Sequence, residues 1–247
     1  MIDELSIIIP TLNEAEYLPA LLDSIARQTY KGSLQVIVVD ARSEDRTVYL
    51  AESFKNRIPE LSIFSTERNA GHQRNVGARH ARYKYLLFLD ADVVLPDKTL
   101  ERLSQKIRMD KQFIAGVMHT AGRGKVLDRL FFRCLYLLIF LSWRSGSPPS
   151  VGDFILTTRQ NHLKIGGFVE GAIMGEDIDY GARSARAGAE RLYYFWPQVA
   201  GSVRRLRQLG KWRLLVIWAR AFRYVRKHGP IFPNQGFDYP SNNSRTF

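Results

Sequence analysis

Residues Tyr85-Leu86-Leu87-Phe88-Leu89 form an unbroken apolar and aromatic run that stops at two carboxylates one residue apart, Asp90 and Asp92. A run this short, with no polar alternation, belongs to a strand buried on both faces inside a sheet covered by helices. That requirement narrows the chain to the open α/β class, where ligands gather at the carboxyl ends of the strands. Two carboxylates so placed repel each other unless positive charge lies beside them. A hard divalent cation, Mg²⁺ or Mn²⁺, shared with the oxygens of a diphosphate answers that demand. An Asp-Ala-Asp that only caps the next helix is the plainer alternative, and the motif alone does not separate the two.

Elements of the same kind surround it. Leu5 to Pro10 is a first strand, stopped by a proline that cannot continue a central ladder. The loop Thr11-Leu12-Asn13-Glu14 follows, and Glu16 to Gln28 sets apolar residues 18, 21, 22 and 25 on one helical face. Leu34 to Val39 is a second strand ending at Asp40, and Ser43-Glu-Asp-Arg-Thr47 opens a helix with Ser43 as N-cap and acids in its first turn. Leu61 to Ser65 is a third strand, and Gly71 to about Tyr83 a further helix. Strand and helix alternating from residue 5 to about 118 predict a doubly wound, mostly parallel sheet with helices on both faces. The second half is less regular. Val126 to Trp143 is strongly apolar, but its uninterrupted stretch falls far short of the ~20 residues of a membrane span, so a buried or interfacial helix is expected. Gly152 to Thr158 reads as a returning strand, Gly166-Gly167-Phe168 as a turn, and Gly175 to about Gly188 as a helix led by Glu176, Asp177 and Asp179.

Composition limits the remaining classes. A single cysteine, Cys134, excludes a disulfide framework and a cysteine zinc site, and fits a reducing compartment. The acidic Met-Ile-Asp-Glu start is unlike a signal peptide, so a cytoplasmic protein is expected. The net charge of +12 is uneven: residues 1–125 hold 18 Lys/Arg against 16 Asp/Glu, residues 126–247 hold 18 against 8. A near-neutral half therefore precedes a basic half suited to an anionic partner. The last helix, about Arg205 to Lys227, lies in a stretch (204–227) with nine Lys/Arg and no acid. Leu214, Trp218, Ala221, Phe222 and Val225 share one face and Arg213, Arg220, Arg223 and Lys227 another. Such a basic amphipathic helix can lie on an anionic membrane surface, or pack on the domain with its basic face in solvent. A nucleic-acid partner is not expected, since no helix-turn-helix or RNA-binding aromatic motif is visible.

Ser6-Ile-Ile-Ile-Pro-Thr-Leu-Asn-Glu14, Val38-Val-Asp40, Arg74-Asn-Val-Gly77, Leu89-Asp-Ala-Asp92, Gly166-Gly-Phe168 and Gly175-Glu-Asp-Ile-Asp179, in this order, resemble the motifs of the family 2 glycosyltransferases over about residues 4–190. The resemblance implies a GT-A fold and an inverting, metal-dependent transfer of sugar from a nucleotide-diphosphate donor. It implies that Pro10, Thr11, Asn13 and Glu14 hold the nucleoside and that Asp40 accepts a hydrogen bond from the base, typically uracil. Arg74 and Asn75 would lie near the donor, and Asp90, Ala91 and Asp92 would form the metal motif, with Asp92 the direct ligand of Mn²⁺ or Mg²⁺ and Asp90 nearer the sugar and ribose. Asp177, with Glu176 beside it, would be the catalytic base. A UDP-sugar is favoured as donor. The acceptor is an unknown hydroxyl or a lipid phosphate, and the place of action the inner face of the plasma membrane.

The implied organisation is a GT-A domain over 1–200, with residues 1–118 binding the nucleotide and 119–200 facing the acceptor, then a basic amphipathic helix over 201–230 and a flexible tail over 231–247. Three places depart from the family pattern: Ala41-Arg42-Ser43 after Asp40, the short segment from Asn69 to Asn75 with His72 and Gln73, and Gly201-Ser-Val-Arg-Arg205, which matches only loosely a segment that contacts diphosphate in some members. Arg204 and Arg205 are accordingly candidate phosphate contacts, and the lone His119 and His162 are expected to be structural. Nucleotidyl transfer is the rival chemistry, but the first loop lacks the glycines and lysine that would hold a triphosphate. A non-catalytic basic nucleic-acid-binding protein is the other alternative, and its binding would fall steeply with salt.

Overall fold

The computed structural model describes residues 2–106, 113–121, 152–201 and 204–235, with six helical positions between 126 and 137. Among these residues the strands β1 (Glu4–Thr11), β2 (Ser33–Asp40), β3 (Leu61–Ser65), β4 (Tyr85–Leu89), β5 (Phe113–Ala121), β6 (Phe154–Thr158) and β7 (Glu190–Gly201) form one sheet in the order β3-β2-β1-β4-β6-β5-β7. β3, β2, β1 and β4 run parallel. Only β6 opposes its neighbours, pairing antiparallel with β4 and β5, while β7 adds to β5 in parallel. The mostly parallel α/β sheet predicted from the alternating runs is the one observed.

Side chains of each central strand divide between two cores, as burial on both faces requires. Ile7, Ile9, Val36, Val38, Leu87 and Leu89 pack on one side with Leu18, Leu21, Leu22 and Ile25 of helix α1 (Leu18–Ala26). Ile8, Ile37, Val39, Leu86 and Phe88 pack on the other with Ala78 of α3 (Ala70–His80), Phe168 and Tyr180. The remaining helices are α2 (Thr47–Glu52), α4 (Thr99–Lys106), α5 (Arg159–Lys164), α6 (Glu176–Arg186), α7 (Arg204–Leu209) and α8 (Lys211–His228).

Several expectations change in detail. Ser43 does not cap a helix: its N–H and hydroxyl donate to Asp40, and its Oγ accepts from Asn13 N–H rather than from a helical N–H. Helix α2 begins instead at Thr47, whose N–H is taken by Asp45. The basic C-terminal helix is two helices, broken at Gly210, whose φ of 75° is open to glycine and strained for most other residues. Strand β7 is not among the strands expected from the sequence, although Leu192 to Trp196 is an apolar and aromatic run between Gly188 and Pro197. The segment expected to be mobile from residue 231 starts inside the fold: Ile231 is fully buried and exchanges backbone hydrogen bonds with the 173–174 segment. The apolar stretch from 138 to 143, the loop at 145–150 and the tail beyond 235 lie outside the described residues.

Candidate functional site

Parallel strands end side by side, so the residues that follow β2, β1 and β4 share one edge of the sheet. Thr11 stands opposite Asp40 in the β1–β2 register. The β1–β4 register aligns Ile8 with Phe88, so Asp90 follows β4 at the same edge. The backbone then rises from the sheet at a left-handed Asn13 (φ 53°), a conformation asparagine tolerates better than most residues.

Two loops at this edge are laced together. Asn13 N–H donates to Ser43 Oγ (2.8 Å) and Glu44 N–H to Asn13 Oδ1 (2.9 Å). Glu14 N–H donates to Thr47 Oγ1 (2.8 Å) and Ala15 N–H to Asp45 (3.1 Å). Asp40 is the hub: its carboxylate accepts from Thr11 Oγ1 (2.9 Å), Ser43 N–H (2.7 Å) and Ser43 Oγ (2.5 Å) and is only 2% exposed. Gln73, buried on α3, donates to the carbonyls of Thr11 (2.9 Å) and Val39 (2.8 Å) and so ties the ends of β1 and β2. Sequence alone marks Gln73 only as a departure, because nothing in its spacing tells which carbonyls it will meet.

Arg74, next to it, joins the two halves of the site. It is 3% exposed, donates to Asp90 Oδ1 (2.7 Å) and to Glu176 Oε1 (2.8 Å), and lies over the ring of Phe168. Burial alone would favour its neutral form, but Asp90 and Glu176 outweigh that and hold the guanidinium firmly charged. The acids after β4 and those opening α6 are far apart in sequence and meet through this one side chain. Asp177 is close enough to add to the field at Arg74, and its Oδ2 sits where Gly152 has no side chain; a Cβ there would stand 2.5 Å away. Asp179, the third acid of the helix, is taken up by an ion pair with Arg183 (2.6 Å).

Asn75, expected near the donor, makes its contacts to the turn that follows α5. Its amide donates to Phe168 O (2.9 Å) and Glu170 (2.8 Å) and accepts from Phe168 N–H (2.8 Å), so it holds the glycine turn that puts Phe168 under Arg74. His72 supports the same turn from α3, bridging Glu170 and Thr66 at 2.8 Å each. His162 is structural, as expected: it is buried, 3.1 Å from the Tyr180 hydroxyl and among Phe88, Phe168 and Tyr180. Burial, reinforced by Arg183, pushes it down to about 4.

A second guanidinium closes the other side. The chain leaving β7 is fixed by paired hydrogen bonds between Val94 and Ala200 (2.8 and 3.0 Å). This brings Arg204, at the start of α7, onto both oxygens of Glu14 (3.0 and 3.1 Å) and to 3.8 Å from Asp92, with its guanidinium over Tyr17. Burial pushes the Glu14 carboxyl above the ordinary carboxylate range; Arg204 opposes this, and Asp92 and Asp90 add to it. Glu14, Asp90, Asp92, Glu176 and Asp177 thus gather around Arg74 and Arg204. The side chain of Arg205 lies outside the described residues. Pro10 and Ala91 (4% exposed) complete the backbone beside these acids.

A parallel sheet with one reversed strand and acids at its carboxyl edge is a GT-A type fold, and solved structures of that type superpose on it. Staphylococcus aureus TarS in complex with UDP-GlcNAc matches with a TM-score of 0.63 and 20% identity, over 81% of this chain and 58% of that one. The mannosyltransferase PcManGT from Pyrobaculum calidifontis, in complex with GDP-Man and Mn²⁺, matches with a TM-score of 0.69 and 22% identity, over 89% of this chain and 64% of that one. At the sequence level the model of Glycosyl transferase family 2 matches residues 6–166, and the chain belongs to that family. A PGL/p-HBAD biosynthesis glycosyltransferase of Mycobacterium tuberculosis is 35% identical over 165 residues, 62% of this chain and 64% of that protein. The poly(ribitol-phosphate) beta-N-acetylglucosaminyltransferase TarS of S. aureus is 35% identical over 100 residues, 39% of this chain and 17% of that protein. The chain thus spans less than two thirds of either relative's length.

Proposed function

We propose that the chain is an inverting glycosyltransferase that moves a sugar from a nucleotide-diphosphate donor, a UDP-sugar by preference, to an acceptor hydroxyl or lipid phosphate at the cytoplasmic face of a membrane. The observation that carries this is the Arg74 bridge, which gathers the acids after β4 and those of α6 into one cluster. The donor's base would reach the edge at Asp40, where three of the roughly four lone-pair positions of a carboxylate are taken and one is left for an N–H. Arg204, poised on Glu14 and Asp92, is placed to turn to the diphosphate.

The chemistry of the donor set fits a divalent cation. Carboxylates as close in sequence as Asp90 and Asp92 are stabilised by nearby positive charge, yet among the described residues no three His, Cys, Asp or Glu form a cage that would hold an ion unaided. Mg²⁺ or Mn²⁺ commonly takes one or two carboxylates and completes its shell with substrate phosphate oxygens. Asp92 and Asp90 would supply the protein ligands, and the ion would neutralise charge on the departing nucleoside diphosphate. Asp177 would take the proton of the acceptor hydroxyl, Glu176 and Arg74 would fix the start of α6, and attack opposite the leaving diphosphate would invert the anomeric centre.

Calorimetry tests this directly. UDP should bind in the presence of Mn²⁺ or Mg²⁺, Asp92→Asn should lose that binding, and Asp177→Asn should keep it while abolishing transfer. Absence of nucleotide diphosphate binding with either metal would remove the donor assignment, and loss of both binding and transfer in Asp177→Asn would make that residue structural.

A further inference from the structure

Helix α8 is amphipathic in an unusual sense: the face it turns to solvent carries its own apolar anchors. Leu214, Ala221 and Val225 are buried. At about 100° per residue, Trp212, Arg213, Val216, Arg220, Arg223 and Lys227 fall within an arc of about 100° on the opposite side. Trp212 is 82% exposed and Val216 56%. A tryptophan left in water costs free energy that a monomer normally avoids, whereas a tryptophan among basic residues is at home between lipid head groups.

The neighbouring helical segment repeats the pattern. Phe131 packs with Leu206, Leu214 and Trp218, and Asp128 pairs with Lys211 at 3.0 Å, which docks this segment beside α8. Its other described positions, Val126, Leu130, Cys134 and Leu137, fall within about 80° of one another, and all four are exposed. Two adjacent helices therefore each present an apolar stripe outward, and one stripe is interleaved with cations.

We infer that this two-helix face, centred on Trp212 and Val216, is a docking surface for an anionic lipid bilayer. Charge decides the occupant. The 204–227 stretch has nine cations and no acid, so a second copy pressed against it would meet like charge, whereas anionic lipid attracts each cation near the surface. A nucleic acid would satisfy the cations but leave the Val126-Leu130-Leu137 stripe in water. A basic face carrying apolar anchors is suited to an interfacial contact, and no helix among the described residues is long and apolar enough to cross a membrane. The surface also explains the place of the site. Val225 packs against Gly175, the residue before Glu176 and Asp177: a Cβ on Gly175 would stand 2.5 Å from Val225 Cγ2. The proposed base therefore lies about one helix diameter, about 10 Å, from the outward face of α8, within reach of an acceptor still anchored in lipid. That last step rests on the transferase reading; the docking surface does not.

Co-sedimentation of the full chain with vesicles tests the surface. Phosphatidylcholine vesicles with about a third phosphatidylglycerol should bind it and pure phosphatidylcholine should not, with binding that falls as salt rises. Replacing three cations, Arg213→Gln, Arg223→Gln and Lys227→Gln together, should weaken partitioning by roughly a hundredfold. Trp212→Ser with Val216→Ser should weaken it by roughly tenfold or more through lost apolar insertion. Failure to bind anionic vesicles overturns the inference. So does binding that Trp212→Ser/Val216→Ser leaves unchanged and that duplex DNA matches, or a dimer in light scattering that the same variant dissociates. Calorimetry with UDP on the same preparations separates the two readings: a chain that binds UDP but no vesicle keeps the proposed activity and loses this surface, and the reverse keeps only the surface.

Discussion

Arg74→Met should destabilise the fold by about 3 kcal/mol, although Arg74 is placed at the site. Removing one partner of a buried ion pair costs on the order of 3–5 kcal/mol, because the remaining charge is stranded. Here two carboxylates would be stranded, but Asp90 is about a quarter open to solvent (27%) and water can partly recover it. Among the described residues Arg74 Nε is buried with no hydrogen-bond partner, a loss already present that the substitution removes, worth about 1–3 kcal/mol. These two corrections bring the expectation to the lower end. Urea unfolding followed by circular dichroism gives the difference, with an unchanged m-value as the check that the same cooperative unit unfolds. Adding Asp90→Asn and Glu176→Gln to Arg74→Met should recover most of the loss, since the charges needing compensation are then gone. The sign is informative: residues placed only for function commonly cost stability, and their truncation is neutral or stabilising. A loss below about 1 kcal/mol for Arg74→Met, or no recovery in the triple variant, would refute the view that this arginine holds the two acid clusters together.

Gly152→Ala places a methyl group 2.5 Å from the Asp177 carboxylate; a flexible side chain can give way, so stability should change by less than about 1 kcal/mol while transfer falls roughly a hundredfold and UDP affinity holds, as kinetics and calorimetry on one sample will read. Asn75→Ala leaves the buried N–H and C=O of Phe168 unpaired, at about 2–3 kcal/mol, and should leave nucleotide affinity within about threefold; a larger change would return Asn75 to the donor. For His162 the folded value of about 4 lies below the ordinary one of 6.5, so the unfolded chain binds the proton first. Its contribution therefore falls as pH drops from about 6.5 to about 4, by about 3 kcal/mol in total, and His162→Gln, which can still hydrogen-bond to the Tyr180 hydroxyl, should lose that share of the slope in urea titrations across this range.

The central strands were legible because burial on both faces leaves a signature no other environment gives: Leu5 to Pro10, Leu34 to Val39 and Tyr85 to Leu89 contain little else than apolar side chains. The acids at their ends were legible for the same reason, as abrupt stops to such runs. What the pattern could not carry is partner choice. Ser43 looks like a helix cap and serves Asp40 instead, since a hydroxyl near a turn has several acceptors of similar worth. Asn75 adjoins Arg74 in sequence, yet on a helix adjacent residues point in different directions, so one reaches the acids and the other the glycine turn. β7 did leave a local pattern, the run Leu192 to Trp196 before Pro197, but its parallel pairing with β5 is a long-range choice that such a run does not specify.

The uneven charge of the chain acquires a meaning once the fold is considered. The first half collects its acids at one sheet edge, where Arg74 can offset only some of them. The second half supplies Arg204 to Glu14 from 190 residues away and then continues into a helix that carries its cations outward. One arm thus touches Glu14 and Asp92 at its first residue and the start of α6 at Val225. A displacement of that arm would act on Glu14 and on Gly175 together. In the transferase proposed above, substituting Arg204 should therefore lower UDP affinity first, read by calorimetry, and substituting Val225 the transfer rate first, read by kinetics, even though both residues sit on the same short stretch of polypeptide.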